Sequence, residues 1–284
     1  MRPLPVLALI LLFGALSLAA SGASETTPEP APGVDVTPPS KGPLTGRDIY
    51  ECVLANRFDS YVQKSKLISG DRGDATQESR LRMTWRSFRD EEKKAVKGVL
   101  SKTIVKYTDP FDLRFSGYLI ANNESRANDQ FVYLNATRKV RRVNLRREAV
   151  FGTDFTFEDI VPREIEDGDY ERLADAEVEG MPVYAVEVTP KPHTKSEYSR
   201  FLIHVDKTTC VPLLTRYWDD RDLEVKKLTV PSTSVETVDG IYWPMKLTMQ
   251  NLQLETFTTL EVEELEPNIE LSRRDFDLRK LEAH

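Results

Sequence analysis

The chain is poor in the residues from which most catalytic and metal sites are built. Only two of its 284 residues are cysteine, Cys52 and Cys210, and only three are histidine, His193, His204 and His284. No histidine stands at metal-ligand spacing with Cys, Asp or Glu. There is no Cys-x-x-Cys pair, no His-Glu-x-x-His, no Gly-x-Ser-x-Gly elbow and no glycine-rich phosphate loop. No catalytic residue, metal ligand or cofactor is therefore expected. The acidic pairs Glu158-Asp159 and Asp219-Asp220 are read as solvated, the usual state of adjacent carboxylates on a strand or turn. His204, a single polar residue among Leu202, Ile203 and Val205, is read as a satisfied or exposed strand side chain.

Positive charge is also short. A net charge of -7 excludes a general nucleic-acid binder, which needs an excess of Lys and Arg. No segment after the N-terminus approaches the ~20 consecutive apolar residues of a transmembrane helix. The two cysteines leave two readings open: a disulfide closing a large loop in an oxidising compartment, or two buried thiols acting as small hydrophobes.

What is present begins with a leader. Residues 1–23 combine Arg2, the apolar run Val6 to Phe13 and the small residues Ala19-Ala20-Ser21-Gly22-Ala23. That is the pattern of a secretory signal peptide cleaved near residues 20–23, so the mature protein is expected outside the cytoplasm. Residues 24–43 hold six prolines and almost no large apolar side chain, which predicts a flexible tether. The folded domain is expected over 44–284.

Thr45 to Asn56 carries a capping Thr, Asp48 three residues on, and Ile49, Val53 and Leu54 on one face, predicting one amphipathic helix. Beyond it the period falls to two. Leu81, Met83 and Trp85 alternate with Arg80, Arg82, Thr84 and Arg86, and similar alternation recurs over 99–107, 113–121, 130–134, 139–144, 170–178, 182–188, 201–205, 211–218, 225–230, 242–252 and 256–265. Turn residues at Asn122-Asn123, Asp219-Asp220 and Asp239-Gly240 predict antiparallel hairpins. No 10–15-residue helix falls between strands, which argues against a parallel doubly wound sheet. A mainly β fold follows: a curved antiparallel sheet, or half-open barrel, covered by the N-terminal helix and one further segment.

The stretch from Phe131 to Ile160 is the most distinctive. It joins the strand Phe131-Val132-Tyr133-Leu134, the basic run Arg138, Lys139, Arg141, Arg142, Arg146 and Arg147, and three phenylalanines, Phe151, Phe155 and Phe157. Gly152 marks a turn that only glycine readily makes, with a helix start capped by Thr153 or Asp154 expected after it. The order Phe-x-Tyr-Leu, Lys-x-Arg-Arg and Phe-Gly-Thr-Asp-Phe-Thr-Phe-Glu-Asp resembles the LolA-like outer membrane lipoprotein-sorting family. The pattern departs at Phe131, often Trp there, and at Asn135, often Pro.

The resemblance implies a LolA/LolB-like half-open barrel with a mobile cover over its mouth. It also implies a periplasmic carrier for a lipid or acylated lipoprotein, with an inner-membrane transporter as donor and an outer-membrane receptor as acceptor. The cavity and cover candidates are Trp85, Phe115, Phe131, Tyr133, Phe151, Phe155, Phe157, Phe201, Trp218 and Trp243. The basic run is read as a docking site for lipid headgroups or an acidic partner, or as a solvated strand edge. A lipid-sensing regulator of the same fold and a periplasmic hydrolase are the alternatives. Release of an acyl chain into water is opposed by ~0.8 kcal/mol per CH₂, so any carrier must offer a dry apolar lumen.

Overall fold

A computed structural model describes residues 43–73 and 75–283; the expected signal peptide and all of the tether but its last residue, Pro43, lie outside the described residues. Helix α1, Gly46–Ala55, opens with the expected capping box between Thr45 and Asp48. Ile49 and Tyr50 form its fully buried face, and Val53 and Leu54 pack beside them. The strands are β1 Ser60–Gly70, β2 Thr76–Ser87, β3 Val99–Asp109, β4 Gly117–Asn123, β5 Asp129–Leu134, β6 Lys139–Val143, β7 Gly168–Arg172 and β8 Ala176–Val178. They continue with β9 Met181–Pro190, β10 Arg200–Asp206, β11 Pro212–Trp218, β12 Glu224–Thr229, β13 Val235–Val238, β14 Ile241–Pro244, β15 Lys246–Asn251 and β16 Thr256–Pro267. A short helix α2, Leu278–Glu282, ends the described chain. Among the described residues no helix is long and apolar enough to cross a membrane.

One curved, unclosed antiparallel sheet runs in the order β6-β5-β4-β3-β2-β1-β16-β15-β12-β11-β10-β9-β7, with β8 paired to β9; β13 and β14 make a separate hairpin. Two meanders thus meet along the β1–β16 seam, where Leu67 faces Leu260. This order dictates the cover. The connection from β6 to β7 must travel from one edge of the sheet to the other, and the most direct way is across a face.

Register assigns the two faces. Leu81 and Met83 pair with Tyr107 and Val105 of β3, and Val105 in turn with Tyr118 of β4. These side chains pack with Leu67, Ile120, Val150 and Phe157 on the inner face, under the β6–β7 connection. On the β9–β11 half, α1 lies on the same face against Val186, Val188, Phe201, Ile203 and Tyr217. A disulfide between Cys52 and Cys210 ties α1 to the β10–β11 turn and settles the reading left open by the sequence. The outer face of β3–β5 is buried too: Ile104, Leu119 and Tyr133 pack under Leu271, Phe276 and Leu281 of the C-terminal segment.

Several expectations change. The central strand β1, SYVQKSKLISG, was not among the alternating stretches, because lysines and serines dilute its pattern on both faces. Asn122 and Asn123 lie inside β4, and the turn follows them. The stretches 170–178 and 242–252 each split into two strands.

Candidate functional site

The connection from β6 to β7 is a doubled-back strap. Glu158 N–H donates to Arg146 O, Phe157 N–H to Glu148 O and Val150 N–H to Phe155 O, with Thr153 N–H closing the turn on Val150 O. Phe151 and Gly152 both have positive φ, 49° and 80°, the geometry of a tight type I′ turn. Glycine takes that conformation freely. Phe151 does not, and its ring is held by Tyr107 at 4.8 Å and Tyr118 at 6.3 Å. No helix starts after Gly152, contrary to expectation. Asp154 instead reaches β16, where Thr256 and Thr258 donate to its carboxylate and its N–H donates to Thr258 Oγ1.

The base of the strap is fastened by charge. Asp159 accepts from Lys226 Nζ at 2.7 Å, Tyr198 Oη at 2.7 Å, and both the N–H and hydroxyl of Thr156. The Asp159 and Lys226 side chains are only 1% and 9% exposed. Glu158 binds Arg163 at 3.0 Å, the Ser196 hydroxyl and the Glu197 N–H. Burial works against the Arg163 charge, but Glu158, together with Tyr50 and Tyr217, offsets it and the guanidinium pKa stands above its usual value. Burial, with Glu158 next to it, raises the Glu197 carboxyl. The reading of Glu158-Asp159 as solvated is therefore overturned. Carboxylates standing between Phe157 and the apolar Ile160-Val161 were the signal that could have found them.

The aromatic candidates divide. Trp85, Phe151, Phe155, Phe157, Phe201 and Trp243 belong to the inner face or its cover. Trp85 stacks on Tyr61 at 5.6 Å, and Trp243 packs on Phe58 and Tyr61 and donates to Gln63. The buried Trp85 Nε1 has no partner among the described residues. Phe131 and Tyr133 point the other way, because their register partners Leu119 and Gly117 place them on the outer face. Trp218 is also outside, between the guanidinium groups of Arg200 at 4.0 Å and Arg216 at 5.2 Å. Phe115 sits in the β3–β4 turn at φ 69° with Arg114 over its ring. The cavity assignment of Phe131, Tyr133 and Trp218 is corrected by this placement.

At the margins of the packed clusters lies a row of half-buried apolar side chains, Met83 and Leu260 against the Val105–Tyr107 cluster and Leu247 against Val211, Leu213 and Val230. Met83 of β2, Leu260 and Val262 of β16 and Leu247 of β15 lie on adjacent strands, with Gln63 and Ser65 of β1 between them. Tyr61 and Trp243 bound the row at one end. Core neighbours such as Leu67 and Val105 are fully buried, so the row is less filled than its surroundings. A separate cleft of about 720 Å³ opens where α1 ends, lined by Arg57, Arg86, Arg89 and Lys93 against Asp59, Asp90, Glu91 and Glu270. None of the expected aromatics lines it. Burial depresses the Arg57 guanidinium and raises the carboxyl of Glu164, which pairs with Arg89 beside it.

The basic run also divides. Lys139 and Arg141 pair with Leu134 and Val132 on one face of β6, and Arg142 with Phe131 on the other. Arg142 binds Asp129, Arg146 donates to Thr194 O, and Arg147 reaches Glu197. Arg138, Lys139 and Arg141 are exposed and have no ion pair among the described residues. Among those residues no group of three or more His, Cys, Asp or Glu could hold a metal. His204 is partly buried, with one ring nitrogen unpartnered.

Comparison with solved structures finds similar folds. One is described as an outer membrane lipoprotein-sorting protein domain from Vibrio parahaemolyticus: 22% identity, TM-score 0.75, covering 84% of this chain and 98% of that one. A DUF1329 family protein from Desulfovibrio piger is 23% identical, TM-score 0.76, over 83% and 97%. A LolA superfamily protein from Nitrosomonas europaea is 16% identical, TM-score 0.64, over 83% and 98%. No curated protein matches the chain. A family model described as "uncharacterized protein" matches residues 100–283. The fold is LolA-like, and the chain belongs to the family that this model defines.

Proposed function

We propose that the protein is a periplasmic carrier that shields an acyl chain of a lipid or lipoprotein on the inner face of its sheet and hands it between membranes. In this reading residues 1–23 are removed on export, 24–43 tether, and the domain from 44 onward does the carrying. The observation that carries it is the half-buried row of Met83, Leu247, Leu260 and Val262 on the inner face of the sheet. Apolar side chains left short of full burial on that face gain from a guest that removes the remaining area from water, by about 25 cal/mol per Å².

Access would come from the Phe151–Phe155 tip of the strap, whose grip on the sheet is one carboxylate, Asp154, and two rings. The Glu158–Asp159 base, with its buried ion pairs, stays fastened. No bond is made or broken. Cargo leaves when a membrane or receptor offers a better apolar site, and a transporter in the inner membrane loads it. Arg138, Lys139 and Arg141 serve headgroup contact at those membranes.

Extraction of purified protein followed by mass spectrometry of bound lipid tests the reading. Wild type is expected to carry lipid, and Leu260→Trp, which fills the row, to carry several-fold less. Phe155→Ala is expected to change the amount retained. Lipid-free wild type, or equal loading in Leu260→Trp, would overturn the proposal.

A further inference from the structure

The hairpin turns at one end of the sheet follow in spatial order. The turn joining β5 to β6 is followed by β3–β4, β1–β2, β15–β16 and β11–β12, and then by the β9–β10 loop, which carries no exposed large apolar side chain, as the strand order and registers require. Neighbouring turns are two strands apart, about 10 Å. The large apolar side chains that are exposed among the described residues are Phe111, Leu134, Leu173, Leu223, Leu252, Leu254 and Leu278. All but Leu173 and Leu278 fall on these turns: Leu134 at β5–β6, Phe111 at β3–β4, Leu252 and Leu254 at β15–β16 and Leu223 at β11–β12. Phe111 is 89% exposed and Leu254 71%.

Scattered exposed leucines are ordinary, but convergence on one edge is not. The first four turns also carry exposed Arg72, Arg114, Arg138 and Lys139, alongside exposed Asp71, Asp109, Asp112 and Glu255; the cations without an ion pair among the described residues, Arg114, Arg138 and Lys139, lie on the β5–β6 and β3–β4 turns. Arg72 pairs with Glu255 across two of the turns, which confirms that they are neighbours. The β11–β12 turn surrounds Leu223 with Asp219, Asp220 and Asp222 and marks where the rim stops. Apolar tips on the β5–β6, β3–β4 and β15–β16 turns, with the β1–β2 turn between the last two carrying none, offer no continuous groove for a folded partner. They suit a surface that is apolar below, anionic above and without fixed shape.

We propose that this rim, with Phe111, Leu134, Leu252 and Leu254 as its apolar tips and Arg114, Arg138 and Lys139 as its cations, docks the protein on an anionic phospholipid bilayer. The inference deepens the carrier reading by naming the surface that meets the membrane. It is scored on vesicle binding without cargo, so it can fail while lipid loading succeeds, and the reverse.

The test is co-sedimentation of the mature full chain with vesicles of phosphatidylethanolamine and phosphatidylglycerol. Wild type is expected to bind. Phe111→Ser/Leu254→Ser is expected to bind at least tenfold more weakly, and the off-rim control Leu173→Ser/Leu278→Ser within twofold of wild type. Arg138→Glu/Lys139→Glu should lose binding to these vesicles. With Phe111→Trp, bromine-labelled acyl chains should quench the new indole, a readout that needs no loss of binding. Failure of wild type to bind, equal weakening by rim and control pairs, or an unquenched indole in the bound protein would each refute docking by this rim.

Discussion

Lys226→Met probes the fastening of the strap most directly. The substitution keeps the length of the side chain and leaves Asp159 buried without its cation. Removing one member of a buried pair costs about 3–5 kcal/mol, because the other charge is stranded. Asp159 keeps three donors, the N–H and hydroxyl of Thr156 and the hydroxyl of Tyr198, so the lower end applies, about 3 kcal/mol. In a domain of this size that is a loss of about 6–12 °C in Tm. Asp159→Asn alone strands the ammonium instead and should cost a similar amount. Lys226→Met/Asp159→Asn strands neither charge and should cost clearly less than the sum of the two. Urea denaturation of the four proteins closes the cycle, with a coupling energy of about 2 kcal/mol expected. Additive single effects, within about 0.5 kcal/mol, would refute the view that this pair fastens the strap to β12.

Three further outcomes follow from other elements. The Cys52–Cys210 bond closes a loop of 158 residues, so Cys52→Ala/Cys210→Ala should lose about 5 kcal/mol on the chain-entropy account; a loss under about 1 kcal/mol in chemical denaturation would show that α1 holds by packing alone. Burial lowers the His204 pKa below its ordinary 6.5. The folded state therefore favours the neutral ring, and its contribution is present above about pH 6.5 and lost as pH falls below it. Unfolding midpoints should drop between pH 7.5 and 5.5, less so in His204→Leu; identical slopes would contradict the burial argument. A Cβ on Gly117 would lie 2.0 Å from the Val105 carbonyl oxygen, so Gly117→Ala should cost about 3 kcal/mol or more by forcing β3 and β4 apart, and a Tm near wild type would mean that the strands yield.

Alternation along single strands carried much of the architecture. The Leu81-Met83-Trp85 row, the Thr45–Asp48 capping box and the turn at Asp239-Gly240 each rest on contacts within a few residues, which is why they could be read locally. The same local reading failed at β1, because the inner face of a strand at the centre of the sheet buries Gln63 and Ser65 among apolar neighbours while Lys64 and Lys66 sit in ion pairs on the outer face. It failed again at Phe131, Tyr133 and Trp218, since an aromatic residue on a strand reveals nothing about which face its partners cover. Glu158 and Asp159 were misread for a similar reason: apart from Arg163 and Thr156, their partners, among them Lys226, Tyr198 and Ser196, lie 38 residues or more away.

By itself the chain of residues determined that most of this protein is antiparallel strand, that one capped helix precedes it, and that a phenylalanine-rich segment stands apart from both. Period, capping and turn chemistry act over a handful of neighbouring residues, and so they can be read without a fold. Only the tertiary structure decided that β1 and β16 meet at the seam, and that the β6–β7 connection must cross the inner face. It also decided which aromatics that face receives, and that five exposed tips share one edge. Those facts depend on strand order and register, which arise from cooperative pairing of segments up to some two hundred residues apart and leave no local trace.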